Sequence, residues 1–97
     1  MLARIARYSI APERCDEAVE AFTDAAREIS EHRGLEQGYL FVDSESGSIM
    51  TVTVWADQAS LDASEVRAAT LRRRAVGAVE GDVLSVQVFD VVRDFRG

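Results

Sequence analysis

Few residues in this chain are equipped for chemistry. It carries one tryptophan, one histidine and one cysteine, and neither lysine nor asparagine. Without lysine there is no Schiff-base chemistry and no anchor for pyridoxal phosphate. Without asparagine, any mechanism that needs its side chain is excluded. A lone cysteine, Cys15, cannot form an internal disulfide. One cysteine and one histidine do not make up the usual ligand set of a zinc site. Cys15 lies near a helix start and reads as a packed, inert thiol. His32 falls at a helix end and reads as solvated. Arg72 to Arg74 form the strongest charge run. On a helix, three successive residues sweep about 200°, so at least one faces water. The run reads as a solvated face paired with acids, with an anion clamp as the sharper alternative. Trp55 ends the run "SIMTVTVW". Its ring and single N–H suit either a plug in a core or the wall of a ligand cavity.

The composition limits the partners. With 97 residues, the expectation is one domain over residues 1–97, small enough to gain from a second subunit. The apolar fraction of 47% is that of a globular protein. Seventeen acids against 11 bases give a charge of −6, which a nucleic-acid backbone would repel. No apolar run approaches the roughly 20 residues that cross a bilayer. The opening "MLARIARYSIAPE" has arginines inside its apolar stretch, unlike a secretory signal. The expectations are therefore no nucleic acid, no membrane and a cytoplasmic location.

The elements that must position these residues are legible in outline. "LARIARYSI" alternates as a first strand. Pro12 suits a first helical turn. From Glu13 the period turns helical, with Val19, Phe22, Ala26 and Ile29 on one stripe and Gly34 placed to end the helix in a left-handed conformation. "LEQGYLFVDSESGSIMTVTVWAD" reads as a hairpin with its turn within Ser44–Gly47. Asp57 is the expected N-cap of a short helical turn, "QASLDA". Ser64 is the expected cap of a second main helix over about 65–79, with Ala68, Leu71, Ala75, Ala78 and Val79 inward and Gly81 at its end. "DVLSVQVFDVV" is the last strand. The order β-α-β-β-α-β, with two helices and a four-stranded antiparallel sheet, predicts an α+β ferredoxin-like fold.

Two helices cover one face of such a sheet. The third strand alternates Met50, Val52 and Val54 with Ile49, Thr51, Thr53 and Trp55. The fourth alternates Leu84, Val86 and Val88 with Val83, Ser85, Gln87 and Phe89. The aliphatic sides are assigned to the helix-covered core. The mixed sides are too apolar to be left in water. A second copy laid over them would enclose a space walled by rings and polar groups, and this assigns Trp55, Thr53, Gln87 and Phe89 to a pocket.

The stretch "GYLFVDSESGSIMTVTVWADQASLDAS" resembles the central hairpin and helix start of the antibiotic-biosynthesis-monooxygenase-like family, in the dimeric α+β barrel superfamily. The likeness rests on element order, the Gly-Tyr that opens the second strand and the strand-final tryptophan. It implies a homodimer with facing sheets, in which C-terminal segments often exchange contacts. Members include oxygenases that use neither metal nor flavin, and others that degrade haem. The haem motif requires an asparagine, a tryptophan and an iron-ligating histidine. Trp55 matches, but Ala6 stands at the asparagine, Thr70 at the histidine, and His32 is on the wrong helix. Haem needs an axial ligand, so this branch is disfavoured.

The cofactor-free branch implies a small aromatic or quinol-like substrate that supplies its own electrons, and no cofactor. In that reading Trp55 stacks on the substrate or donates its N–H, Tyr8 or Tyr39 bonds a substrate oxygen, and Arg4 stabilises a phenolate. No general base stands out. The alternative is a non-catalytic barrel protein that binds a small ligand or regulates a partner.

Overall fold

A computed structural model describes residues Met1–Gly97. Strand β1 (Leu2–Ser9) leads through a short 3-10 turn (Pro12–Arg14) into helix α1 (Cys15–Ile29). Strands β2 (Leu35–Asp43) and β3 (Ser48–Trp55) form a hairpin, helix α2 (Gln58–Ala78) follows, and β4 (Asp82–Asp90) returns to the sheet. The four strands are antiparallel in the order β2-β3-β1-β4. The two helices pack on one another and on one face of that sheet. This is the ferredoxin-like arrangement expected from the periodicities.

Local signals account for most boundaries. The β2–β3 turn closes with the Gly47 N–H donating to the Asp43 carbonyl, and Gly47 takes a φ of 76° that favours glycine. Gly34, at φ 91°, links α1 to β2, where an added Cβ would overlap the Ser60 side chain. Asp57 caps α2 by accepting the Ser60 N–H at 2.8 Å. That bond, and then the Ser60 hydroxyl, hold the Asp57 carboxyl below its ordinary pKa.

Several expectations need correction. Helix α2 is continuous from Gln58, so "QASLDA" is its first turns and Ser64 is not a cap. Ser64 is wholly buried and returns its hydroxyl to the Leu61 carbonyl at 2.7 Å, a bond that leaves the helix intact. Val19 is 38% exposed, and the inner stripe of α1 is Cys15, Ala18, Phe22 and Ile29. Ala78 is exposed. Between the end of α2 and Gly81, Glu80 takes a left-handed φ of 53°. The turn is closed by the Gly81 N–H donating back to the Val76 carbonyl at 3.0 Å.

The largest correction concerns β3. Directly opposed residues in an antiparallel pair point to the same side. Tyr8 opposes Ile49, Ala6 opposes Thr51, Arg4 opposes Thr53 and Leu2 opposes Trp55. Tyr8, Ala6 and Ile49 sit in the core under the helices, so Thr51, Thr53 and Trp55 face the helices too. Met50, Val52 and Val54 point to the open face, the reverse of the sequence assignment. On β4, Gln87 opposes Ile5 and Phe89 opposes Ala3, so both keep the open face assigned to them. Val86 and Val88 share the side of Ala6 and Arg4 as expected, but they lie on an edge strand and stay 42% and 45% exposed. A bulge between Ser85 and Val83 places Val83 opposite Tyr8.

Candidate functional site: a cavity between sheet and helices

The inverted register relocates the pocket. A cavity of about 290 Å³ lies within the single chain, walled by the inner face of the sheet and by both helices. That is close to the lower end of small-molecule sites. Ala6, Tyr8, Thr51 and Thr53 are its sheet side, while Phe22, Ala25, Ile29, Ala68 and Leu71 come from the helices. Ser30, Arg72 and Tyr39 also line it and are more exposed. Space remains there because small residues face one another: Ala6, Gly38, Ala25 and Ala68 stand where larger side chains would close it.

The polar groups of the wall are few. Tyr8 and Thr51 share a hydrogen bond at 3.3 Å. The Tyr8 ring leans on Phe22, with 4.7 Å between centroids. Trp55 is fully buried, packed among Ile29, Leu61, Ala68 and Leu71. Its N–H donates to Thr53 Oγ1 at 3.0 Å. The indole is therefore a support behind the wall, and the ring that the sequence placed against a substrate does not line the cavity.

Arg4 lines the cavity and is 5% exposed. Its guanidinium carbon stands 5.6 Å from the Trp55 ring centroid, a cation–π distance. One nitrogen, Nη2, donates to the Leu61 carbonyl, Ser64 Oγ and Glu65 Oε1 at 3.2, 3.0 and 2.7 Å. Arg4 and Arg72 are the only charged residues of the lining, in a chain with a net charge of −6. Within the arginine run, Arg74 pairs with Glu28 at 2.8 Å and Arg73 reaches Thr70, so only Arg72 turns to the cavity.

Of the residues singled out in the sequence, the structure thus brings Arg4, Tyr8 and Thr53 around one cavity; Tyr39 borders it, but it opposes Val52 and carries its ring on the open face, stacked on Phe41. The structure places Trp55 behind those three and Gln87 and Phe89 on the opposite face of the sheet. Sequence reasoning missed Thr51, Phe22, Ala25, Leu71 and Arg72 as lining residues. The arginine run was the one signal that touched this set. His32 is half-buried with its ring edge-on to Trp55, 6.5 Å between centroids. No histidine, cysteine or methionine lines the cavity, so the wall offers none of these haem ligands.

A ferredoxin-like sheet with a ligand-sized cavity under its helices defines the structural class, an α+β protein. The sequence narrows that class: residues 1–76 match the antibiotic biosynthesis monooxygenase family, and the chain belongs to it. Among solved structures, a Deinococcus radiodurans protein named for the same family superposes with a TM-score of 0.81 at 11% identity, covering 99% of this chain and 97% of that one. Another antibiotic biosynthesis monooxygenase gives 0.70 at 26% identity, covering 96% and 100%. SnoaB of Streptomyces nogalater, described as a cofactor-independent oxygenase, gives 0.74 at 15% identity, covering 99% and 97%. No curated protein matches the sequence significantly. No helix is long and apolar enough to cross a membrane.

Proposed function

We propose that this protein is a cofactor-independent monooxygenase acting on a small, flat aromatic or quinol-like molecule bound between sheet and helices. The observation that carries this reading is the cavity itself: apolar, backed by Phe22 and Tyr8, with hydroxyls at Thr51, Thr53 and Tyr8. Family membership and the likeness to SnoaB, a cofactor-independent oxygenase, support the reaction class. The reaction balances without a redox group on the protein. A ring methylene and O₂ give a ring carbonyl and water, so the substrate supplies every electron. What remains for the chain is to hold the ring, favour its anion and keep water out. Arg4, Tyr8 and Thr53 are the residues we assign to substrate, with Trp55 as a positioning residue.

The working unit we propose is a homodimer in the cytoplasm. The open face carries Tyr39, Phe41 and Phe89, each nearly half exposed, beside Met50, Val52 and Ile5. Such a patch on a small domain favours a partner. The tail after β4 leaves Val92 and Phe95 more than four-fifths exposed, available to an adjoining subunit.

A non-catalytic ligand-binding role is the second reading, and one observation favours it: no carboxylate or histidine lines the cavity to act as a base. Oxygen uptake with anthrone and hydroquinone panels separates the two. Turnover that disappears in Ala25→Phe, which fills the cavity, supports the oxygenase. Binding of these compounds without any oxygen consumption leaves the ligand-binding protein, and the oxygenase reading fails.

A further inference from the structure

The Arg4 guanidinium is unevenly satisfied. Nη2 makes all three of its hydrogen bonds. Nε is buried without a partner, and Nη1 makes no bond. A desolvated N–H with nothing to bond is costly, and a buried guanidinium with only one acid nearby more so. Its one acid, Glu65, is half exposed, so solvent weakens the neutralisation. The cavity beside this cation contains no acid that would repel a negative ligand and no base that would generate one.

Taken together, and resting on the cavity being the ligand site, these facts support a more specific assignment. We propose that Arg4 is a specificity-determining residue that selects ligands carrying a deprotonated oxygen on the ring system. The anion enters already ionised, and its oxygen takes up the N–H groups of Nη1, which is unbonded and, unlike Nε, not closed off from solvent. Trp55 under the guanidinium and the Glu65–Ser64–Leu61 anchor on Nη2 fix its position. Preorganised donors of this kind favour the anion over its neutral form because they need not reorient when charge appears. Arg72, half-buried and without an ion pair, is the competing cation, and the test must separate the two.

The probes are 1-naphthoate and 1-naphthamide, which share a shape and differ in charge, titrated calorimetrically into the full chain. Naphthoate is expected to bind at least about tenfold tighter, the scale of a charge-assisted hydrogen bond in a desolvated site. Arg4→Gln should remove that preference and leave naphthamide binding in place. Because Arg4 is buried, Glu65→Gln is the companion variant: it removes the counter-ion from an exposed position and should raise the preference severalfold. Equal affinity of the two probes for the wild-type protein would overturn the anchor while leaving the cavity reading intact. So would a preference abolished by Arg72→Gln and untouched by Glu65→Gln. If neither probe binds, the cavity reading falls and the anchor falls with it.

Discussion

Trp55→Phe tests the relocation of the tryptophan most directly. The ring has no solvent exposure, so its replacement acts on packing and on two specific contacts. The N–H bond to Thr53 Oγ1 goes first, at about 1 kcal/mol for a typical net hydrogen bond. The Thr53 hydroxyl lines the cavity and can turn to water, which keeps this loss near the typical figure. The Arg4 guanidinium 5.6 Å from the ring loses most of its cation–π partner, about 1 kcal/mol at a desolvated site. The smaller ring leaves a void among Ile29, Leu61, Ala68 and Leu71, worth about another 1 kcal/mol. The sum is about 3 kcal/mol. With a urea slope of about 2 kcal/mol per molar, the unfolding midpoint should fall by about 1.5 M. Both proteins must be compared at one concentration, since any dimerisation contributes to apparent stability. A fall below about 0.5 M would refute the reasoning, because a ring lying loosely on a cavity or a subunit surface would be replaced at that small cost.

The open face and the helix cap give two further tests. Phe41→Asp puts a charge on the apolar sheet face without touching the cavity wall; light scattering should show about half the wild-type mass with an unchanged circular dichroism spectrum, and a wild-type protein that is already monomeric on dilution would remove the dimer from the proposal. Asp57 carries a carboxyl whose folded pKa is depressed, first by its bond to the Ser60 N–H. Its contribution is therefore complete above the ordinary value of 3.8 and is lost as pH falls through the lower folded value. Thermal midpoints of Asp57→Asn, which keeps a capping side chain, should depend less steeply on pH below about 4 than those of wild type, and parallel curves would deny the cap its titration.

Most of the architecture is determined locally and can be read in the chain. Pro12 before a helical period, Asp57 ahead of another, Gly47 in a tight turn and Gly34 at a left-handed bend each act through their own backbone or immediate neighbours. The element order that follows permits few topologies, and the ferredoxin-like sheet is among them. The absence of lysine and asparagine likewise excludes whole mechanisms with no reference to shape.

Which way a strand faces is a different kind of fact. Both sides of β3 carry enough apolar surface to be buried, so alternation alone leaves two registers nearly equivalent. The choice is made by the neighbours, with Tyr8 against Ile49 and Leu2 against Trp55, and it moves every side chain of the strand at once. That choice took Trp55 from a shared outer surface to the interior. It brought Thr51 and Thr53 beside Arg4 and opened the cavity under the helices. Arg4 looks like an ordinary alternating charge on a first strand until α2 folds over it and supplies Ser64 and Glu65 from some 60 residues away. The chain alone therefore specifies the kind of sheet and the chemistries it lacks. Only long-range packing decides which face becomes the pocket, because burial on a strand is settled by what lies across from it.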